Sequence, residues 1–348
     1  MSANITSMKF SVFGRGYEDE RVDSGEGIEG EMDRHFLLNG GAVIDSTSTY
    51  LWIVKAGDVN NRLILKYDLA TFTDVGQTII TAKESYGIYH PTNVANNLGI
   101  VLGLDSKSFY VFDLTDDTVY ASGTFTGSYP QGCYDSILVD DKIYIIDLKA
   151  GRTNTILFTI DLTNQTASGS IIITGRTSNC FVDDSHIYGN YPPEWFTQYK
   201  SLYLSDLAGN TAWSETATAG GGGGFPNIET NGLGGNGKIY LPTKIYGAWR
   251  MGEYNADTAP DVVTPKPKRV FGKFKSQIGF DTSIGRRGIA YNDGRTRMAF
   301  TTNLGVFVTD LEEVELLTDE LITVYCMNDE WVIGANSTYQ YLYTFKYR

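Results

Sequence analysis

Short apolar runs that close on Asp-Leu recur along the chain. Leu63 to Leu69, Phe109 to Leu114, Ile156 to Leu162, Leu202 to Leu207 and Val306 to Leu311 all do so. Met251 to Asn255 and Leu342 to Lys346 are degenerate copies that fill the gaps. The closing positions are 68, 113, 161, 206, 255, 310 and 346, in steps of 45, 48, 45, 49, 55 and 36 residues. Self-similarity at such a period over seven copies marks a repeat architecture. Asp147-Leu148 falls out of register, so the period carries the argument and the dipeptide alone does not. Upstream of each copy lies a tight polar turn between apolar residues: Ile44-Asp45, Asn96-Asn97, Asp140-Asp141, Asp183-Asp184, Asn236-Gly237, Asn292-Asp293-Gly294 and Asn328-Asp329. Such turns read as hairpins. Each unit therefore predicts strand A, a tight turn, strand B, a variable loop, strand C, a short turn and strand D.

Four antiparallel strands per repeat is the content of one propeller blade. Strand C is apolar on both faces, with Phe109 and Val111 on one side and Tyr110 and Phe112 on the other. A strand with two dry faces needs neighbours on both, which radially stacked blades supply. A parallel β-solenoid is the alternative, but its rungs are shorter than this period. The seventh unit stops after strand C. Met8, Phe10 and Val12 alternate with Lys9 and Ser11, so this stretch is expected to complete the last blade beside Tyr341 to Tyr347. Closing the ring in this way removes two sheet edges. The expected fold is all-β: one seven-bladed propeller domain over 1–348. Its parts are a closing strand at 5–13, an acidic linker at 14–36, and blades near 37–82, 87–126, 132–174, 178–218, 225–271, 278–317 and 321–348.

The Asp that ends strand C resembles the blade signatures of WD-type and quinoprotein-type propellers. Ser205 to Trp213 is the copy most similar to a quinoprotein blade, and it brushes the sialidase Asp-box with different Ser-Asp and Asp-Gly spacings. The Gly-His half of a WD40 repeat is missing, and kelch-like paired glycines occur at Gly40-Gly41. The chain resembles β-propellers as an architecture over its whole length, without the motif set of any one propeller family. The recurring Asp side chains read as turn caps, because Asp accepts backbone N–H bonds two residues on.

Composition narrows the function. The 38 Gly, 23 Tyr and 17 Phe suit pleated surfaces joined by turns, and 42% hydrophobic residues suffice for a core. A balance of 28 Lys+Arg against 41 Asp+Glu argues against nucleic-acid binding, which depends on neutralising phosphates. No apolar run approaches the ~20 residues of a membrane-spanning helix, so membrane insertion is not expected. Met1 to Phe13 has no basic segment followed by an apolar stretch, so no Sec signal is expected and the location is read as virion or cytoplasm. Cys133, Cys180 and Cys326 are far apart and odd in number, and all three are expected to be unpaired. His35, His90 and His186 lie in different segments, so zinc or haem ligation is not expected. No cofactor is expected; oxygen-ligated Ca²⁺ stays open.

The loops divide into two faces. A–B and C–D turns share one, which is short and acidic: Asp116, Asp117, Asp140, Asp141, Asp183, Asp184, Glu312 and Glu313, read as solvated turns. B–C and D–A loops share the other, where Tyr86, Tyr89, His90, Tyr129, Tyr134 and the Tyr191 to Tyr199 segment with Trp195 and Phe196 cluster. Tyr and Trp beside Gly, Asn and Pro suit a protein interface or a sugar platform. The candidate binding set is Trp195, Tyr199, Phe225, Tyr246 and Trp249 of blades four and five, with Tyr86, Tyr89 and Tyr129. The plainer reading of each residue alone is a local plug over the blade core. Lys266, Lys268, Arg269, Lys273 and Lys275 form the main basic run, a candidate docking patch for an acidic neighbour. Glu18 to Asp33 holds eight acids against one Arg and is read as a solvated linker. The run Gly220 to Gly224 lacks the Gly-Lys-Ser/Thr ending of a P-loop.

Two functions compete. One is a non-enzymatic structural or binding propeller within a larger assembly, with protein partners and a surface glycan as a further ligand. The absent signal, the Tyr/Thr/Gly-rich β content and the complementary charged segments resemble bacteriophage virion or tail-associated propellers, which implies a role in assembly or host attachment. The other is a carbohydrate-active hydrolase or lyase on the B–C and D–A face. That chemistry needs two convergent carboxylates, and Asp105, Asp135, Glu194 and Asp281 are the candidates. The reading favoured is the non-enzymatic one, with no catalytic residue assigned.

Overall fold

The computed structural model describes residues 32–36, 42–56, 62–80, 87–92, 96–103, 107–130, 133, 135–147, 154–174, 179–191, 199–218, 233–261, 264–274, 288–336 and 341–347. The regular structure among these residues is strand. Strand β1 (Met32–Phe36) comes first. Blade one is β2 (Ala42–Ile44), β3 (Tyr50–Ala56), β4 (Arg62–Asp68) and β5 (Asp74–Ile80). Blade two is β6 (Ile88–Tyr89), β7 (Leu98–Gly103), β8 (Ser108–Asp113) and β9 (Thr118–Thr126). Blade three is β10 (Asp135–Val139), β11 (Lys142–Asp147), β12 (Asn154–Asp161) and β13 (Thr166–Thr174). Blade four is β14 (Asn179–Val182), β15 (His186–Tyr191), β16 (Tyr199–Asp206) and β17 (Thr211–Thr218). Blade five is β18 (Leu233–Gly235), β19 (Lys238–Ile245), β20 (Ala248–Asn255) and β21 (Arg269–Phe274). Blade six is β22 (Ile289–Tyr291), β23 (Met298–Thr302), β24 (Gly305–Thr309) and β25 (Val314–Thr318). Blade seven is β26 (Ile322–Met327), β27 (Trp331–Asn336) and β28 (Tyr341–Lys346), completed by β1.

Within each blade the strands pair antiparallel in chain order, and blades two and three join where β13 meets β9 in parallel at Ala167 and Phe125. The third strand ends where the sequence period placed it, at Asp68, Asp113, Asp161, Asp206 and Asn255. The four carboxylates among them are turn caps. Asp68 Oδ1 accepts the Thr71 N–H at 2.8 Å, Asp113 Oδ1 that of Thr115 at 2.8 Å and Asp161 Oδ1 that of Asn164 at 2.9 Å. Asp206 accepts from the Ala208 and Asn210 backbones, and Asp310 from those of Glu312 and Glu313. Hydrogen bonds to the ionised form lower a carboxyl pKa. Asp68 is held below its ordinary value chiefly by the Thr71 hydroxyl, Asp161 by the Asn164 N–H and Asp206 by the Asn210 side chain.

The core sits between blades rather than between layers. Phe109 and Val111 of β8 pack with Phe158 and Ile160 of β12, whereas Phe112 packs with Trp52 and Ile64 of blade one. Alternation along one strand thus feeds two interfaces, and Phe109, Phe125 and Phe158 meet edge-to-face at 5.6 Å spacings. Equivalent clusters join blades five to six, six to seven and seven to one.

Ring closure uses a different strand from the one expected. Met32–Phe36 pairs antiparallel with Tyr341–Phe345, and β28 has β27 on its other side. Both edges of β28 are therefore taken, which leaves no place beside it for 5–13. The closing strand lies inside the stretch read as an acidic linker, while 5–13 itself falls outside the described residues. An outermost strand is held by its backbone ladder, so Asp33 and Arg34 do not exclude it. A second correction concerns Asp183. It is buried, not solvated: its carboxylate caps the turn through the Ser185 and His186 N–H groups and accepts Gly237 N–H of blade five at 3.3 Å.

Candidate functional site

The innermost strands line a central channel, and the A–B turn of blade six (292–297) crosses one end of it. Asn292-Asp293-Gly294 makes the tight turn, and Arg295 follows in the left-handed region at φ 50°. Its side chain, 1% exposed, is the largest fully buried one among the described residues. Nε donates to Thr92 Oγ1 at 2.9 Å, Nη1 to the Gly234 carbonyl at 3.2 Å, and Nη2 to Asp135 Oδ1 at 2.9 Å and the Ser136 carbonyl at 3.4 Å. The guanidinium also lies 4.3 Å from the Tyr291 ring centroid. One residue of blade six thus ties blades two, three and five. A Cβ added at Gly235 would stand 2.8 Å from Arg295 Cδ, so glycine there admits the side chain.

Asp135 completes the latch. Besides Arg295 it accepts Ser136 N–H at 3.0 Å and, from blade four, Val182 N–H at 2.9 Å. A buried charge pair is tolerable only when the remaining donors and acceptors are satisfied, and here they are. Beside it, His90 Nε2 donates to Asp293 and Nδ1 to the Leu98 carbonyl at 2.9 Å. Both partners are acceptors only, so the ring satisfies both as imidazolium. Burial pulls the His90 pKa down, but the Asp293 hydrogen bond and charge, with the Leu98 carbonyl, outweigh it and hold the group above its ordinary value. Asn292 Nδ2 reaches Asp329 of blade seven at 2.9 Å, and Asn236 Nδ2 reaches the Gly294 carbonyl at 3.3 Å. Above this floor is a cavity of ≈ 70 Å³ whose lining includes Tyr89, Cys133, Ser136, Tyr291, Tyr325 and Cys326. Cys133 and Cys326 are buried and stand in no disulfide. Burial pushes the Cys326 thiol up, so it stays protonated and inert.

The expected aromatic set divides. Tyr86, Trp195 and Phe225 lie outside the described residues. Tyr199 is the first residue of β16 and pairs with Thr218. Tyr246 is 82% exposed at the tip of the β19–β20 hairpin. Trp249 is a correction: at 8% exposure it packs with Met251, Phe271 and Phe274 in the core between blades five and six, because it lies on β20 and points inward. Tyr89 sits within β6 and lines the channel, and His90 begins the A–B turn, so neither belongs to the loop face. Tyr129 is half-buried against the core of blades two and three, with Lys107 Nζ 5.6 Å from its ring.

The basic run is also dispersed. Lys266 and Lys268 are exposed on the C–D connection of blade five and Lys273 further along β21, while Lys275 lies outside the described residues. Arg269 is engaged: with Lys238 it holds the buried Glu253, each at 2.9 Å, and it donates to the Leu311 carbonyl of blade six. Of the carboxylates considered for hydrolysis, Asp135 is consumed in the latch, and Asp105, Glu194 and Asp281 lie outside the described residues. Sequence reasoning missed Arg295, Thr92 and Tyr291. The only local signal was an arginine directly after an Asn-Asp-Gly turn.

The topology has solved counterparts. The β-propeller domain of Myceliophteria thermophila Cps50 (Swd1) superposes with a TM-score of 0.54 at 11% identity, covering 90% of this chain and 98% of that one. A chain of a mitotic checkpoint complex gives 0.55 at 7% identity, with 96% of each chain covered. A chain of Kuenenia stuttgartiensis hydrazine synthase gives 0.51 at 10% identity, covering 95% and 99%. This chain is a β-propeller. At these identities the likeness is one of fold alone. No protein-family model matches the sequence, and no curated protein does.

Proposed function

We propose that this propeller is a non-enzymatic binding and structural subunit of a larger assembly, engaging its partners through the loop face rather than through the channel. The observation that carries the reading is the latch. In Asp135 and Arg295, the charged groups at the channel floor spend their hydrogen-bonding capacity on one another and on the backbones of neighbouring blades. General acid–base work needs a group within reach of substrate and free to exchange a proton; a carboxylate with three protein donors serves position instead. The Tyr246 side chain at the tip of the β19–β20 hairpin, by contrast, is 82% exposed on the loop face. The assembly favoured is a bacteriophage virion or phage-tail-like particle, with a role in assembly or host attachment. This finer step rests on the Tyr/Thr/Gly-rich β composition and on the separation of acidic and basic segments along the chain. Immunogold electron microscopy of particles from the source culture tests it. Regular label on particles supports the reading, whereas label confined to the soluble fraction, or release of reducing sugar from surface polysaccharide by the pure protein, contradicts it.

A further inference from the structure

Five large apolar side chains are exposed among the described residues: Val75, Val119, Tyr120, Tyr246 and Leu321. Scattered singly, such residues need no explanation. Three of them are gathered. Val75 stands at the start of β5, and Val119 and Tyr120 at the start of β9, at 51%, 45% and 55% exposure. These are the outermost strands of neighbouring blades. An ion pair joins the two strand starts. Asp117, two residues before Val119, meets Lys66 Nζ at 3.0 Å and accepts the Trp52 Nε1–H at 3.3 Å. Lys66 in turn pairs with Gly76, the residue after Val75, across one strand spacing of ~4.8 Å. The three apolar side chains therefore flank one clasp. The same irregularity delivers two of them. Lys66 opposes Gly76 and Tyr67 opposes Asp74, which leaves Val75 as a bulged residue; Val111 opposes Ala121 and Phe112 opposes Val119, which leaves Tyr120. A bulge re-aims the side chain it carries. Blade four has a bulge at the same place, where Leu204 opposes Trp213 and Ser205 opposes Thr211, and its extra residue is Ala212. The bulge itself thus needs no large apolar side chain.

We propose that this outer rim of blades one and two docks an apolar segment of a partner protein that carries Lys or Arg. The surface goes beyond the loop-face reading and does not depend on it, because it lies beside the C–D turns. Charge chooses the occupant. Leu69 to Thr78 and Leu114 to Thr126 hold no Lys or Arg. Asp74 and Asp116 are exposed within them, and the neighbouring cation, Lys66, is held by Asp117. A second copy meeting this rim with its own would oppose like charges, as would a nucleic acid or an anionic lipid surface, whereas a basic segment is attracted.

The test selects a random-peptide display library on the parent and depletes it on Val75→Thr/Tyr120→Thr, which keeps a strand-forming residue at both positions. These are surface changes, so the variant should melt within about 1 °C of the parent. Surviving peptides should pair an apolar residue with Lys or Arg and bind the variant about tenfold or more weakly. The second variant, Asp74→Asn/Asp116→Asn, removes two charges and keeps the oxygens that accept the Gly76 and Thr118 N–H groups. It should bind the same peptides about threefold more weakly at low salt, with a flatter salt dependence. No surviving peptide, survivors without basic bias, or unchanged affinity for the second variant overturns the inference. A melting temperature of the Thr variant lower by more than about 2 °C also overturns it, because the side chains then serve the fold. So does a dimer of the parent in sedimentation velocity that the Thr variant lacks, which would make the occupant a second copy.

Discussion

Replacing Arg295 by Ala tests how far the ring depends on its channel latch. The change leaves Asp135, 7% exposed, as a buried carboxylate without its charge partner and removes hydrogen bonds to Thr92, Gly234 and Ser136. Breaking a buried pair from one side costs about 3–5 kcal/mol, mostly through the stranded charge. For 348 residues the unfolding entropy near 60 °C is on the order of 0.7 kcal/mol per kelvin, so the melting temperature should fall by about 4–7 °C. The double variant Arg295→Met with Asp135→Asn removes both charges and keeps an acceptor for the Val182 N–H. It should melt above Arg295→Ala, although it carries two changes. Differential scanning calorimetry reads both, and the ordering should persist in high salt because buried pairs are poorly screened. An Arg295→Ala protein within about 1 °C of the parent would refute the latch.

Other outcomes follow from the same geometry. His90 has a raised folded pKa, so its contribution is fully present below its ordinary value of 6.5 and is lost as pH rises through the folded value. Denaturant titrations from acid to alkaline pH should show the parent's stability falling as pH rises from 6.5 to the folded value and levelling off above it, with a flatter profile in Asp293→Asn. Trp249→Ala should act on the fold, lowering stability by about 3–5 kcal/mol through the cavity it leaves; calorimetry checks this, and an unchanged melting temperature would contradict the packing. Deleting residues 1–36 removes β1, exposes the β28 edge and should cause aggregation measurable by light scattering; a truncated protein that stays monomeric and melts with the parent would contradict the closure.

The blade plan was legible because its determinants are local. Asp caps end the third strands, and alternation such as Phe109 to Phe112 announces two dry faces. The closing strand was not, because Met8, Phe10 and Val12 display the cleaner alternation while Met32–Phe36 is charged and held by its ladder. The latch was invisible for another reason. Arg295 finds Asp135 and Thr92 at sequence separations of 160 and 203, and no periodicity encodes a contact across the channel. Trp249 was misread as an anchor because its place near a turn outweighed its inward register. Tyr246, one residue before the Gly of the same turn, is the member of the set that is exposed among the described residues.

Incorporation into particles separates binding at the loop face from work done in the channel. Quantitative mass spectrometry of particles assembled with the channel variant Arg295→Met/Asp135→Asn, or with the tip variant Lys244→Glu/Tyr246→Asn, measures it directly. The account predicts that folded channel variant enters at the parent's level and that the tip variant falls by about tenfold. Parental incorporation of the tip variant with exclusion of the folded channel variant would place the function in the channel and contradict it.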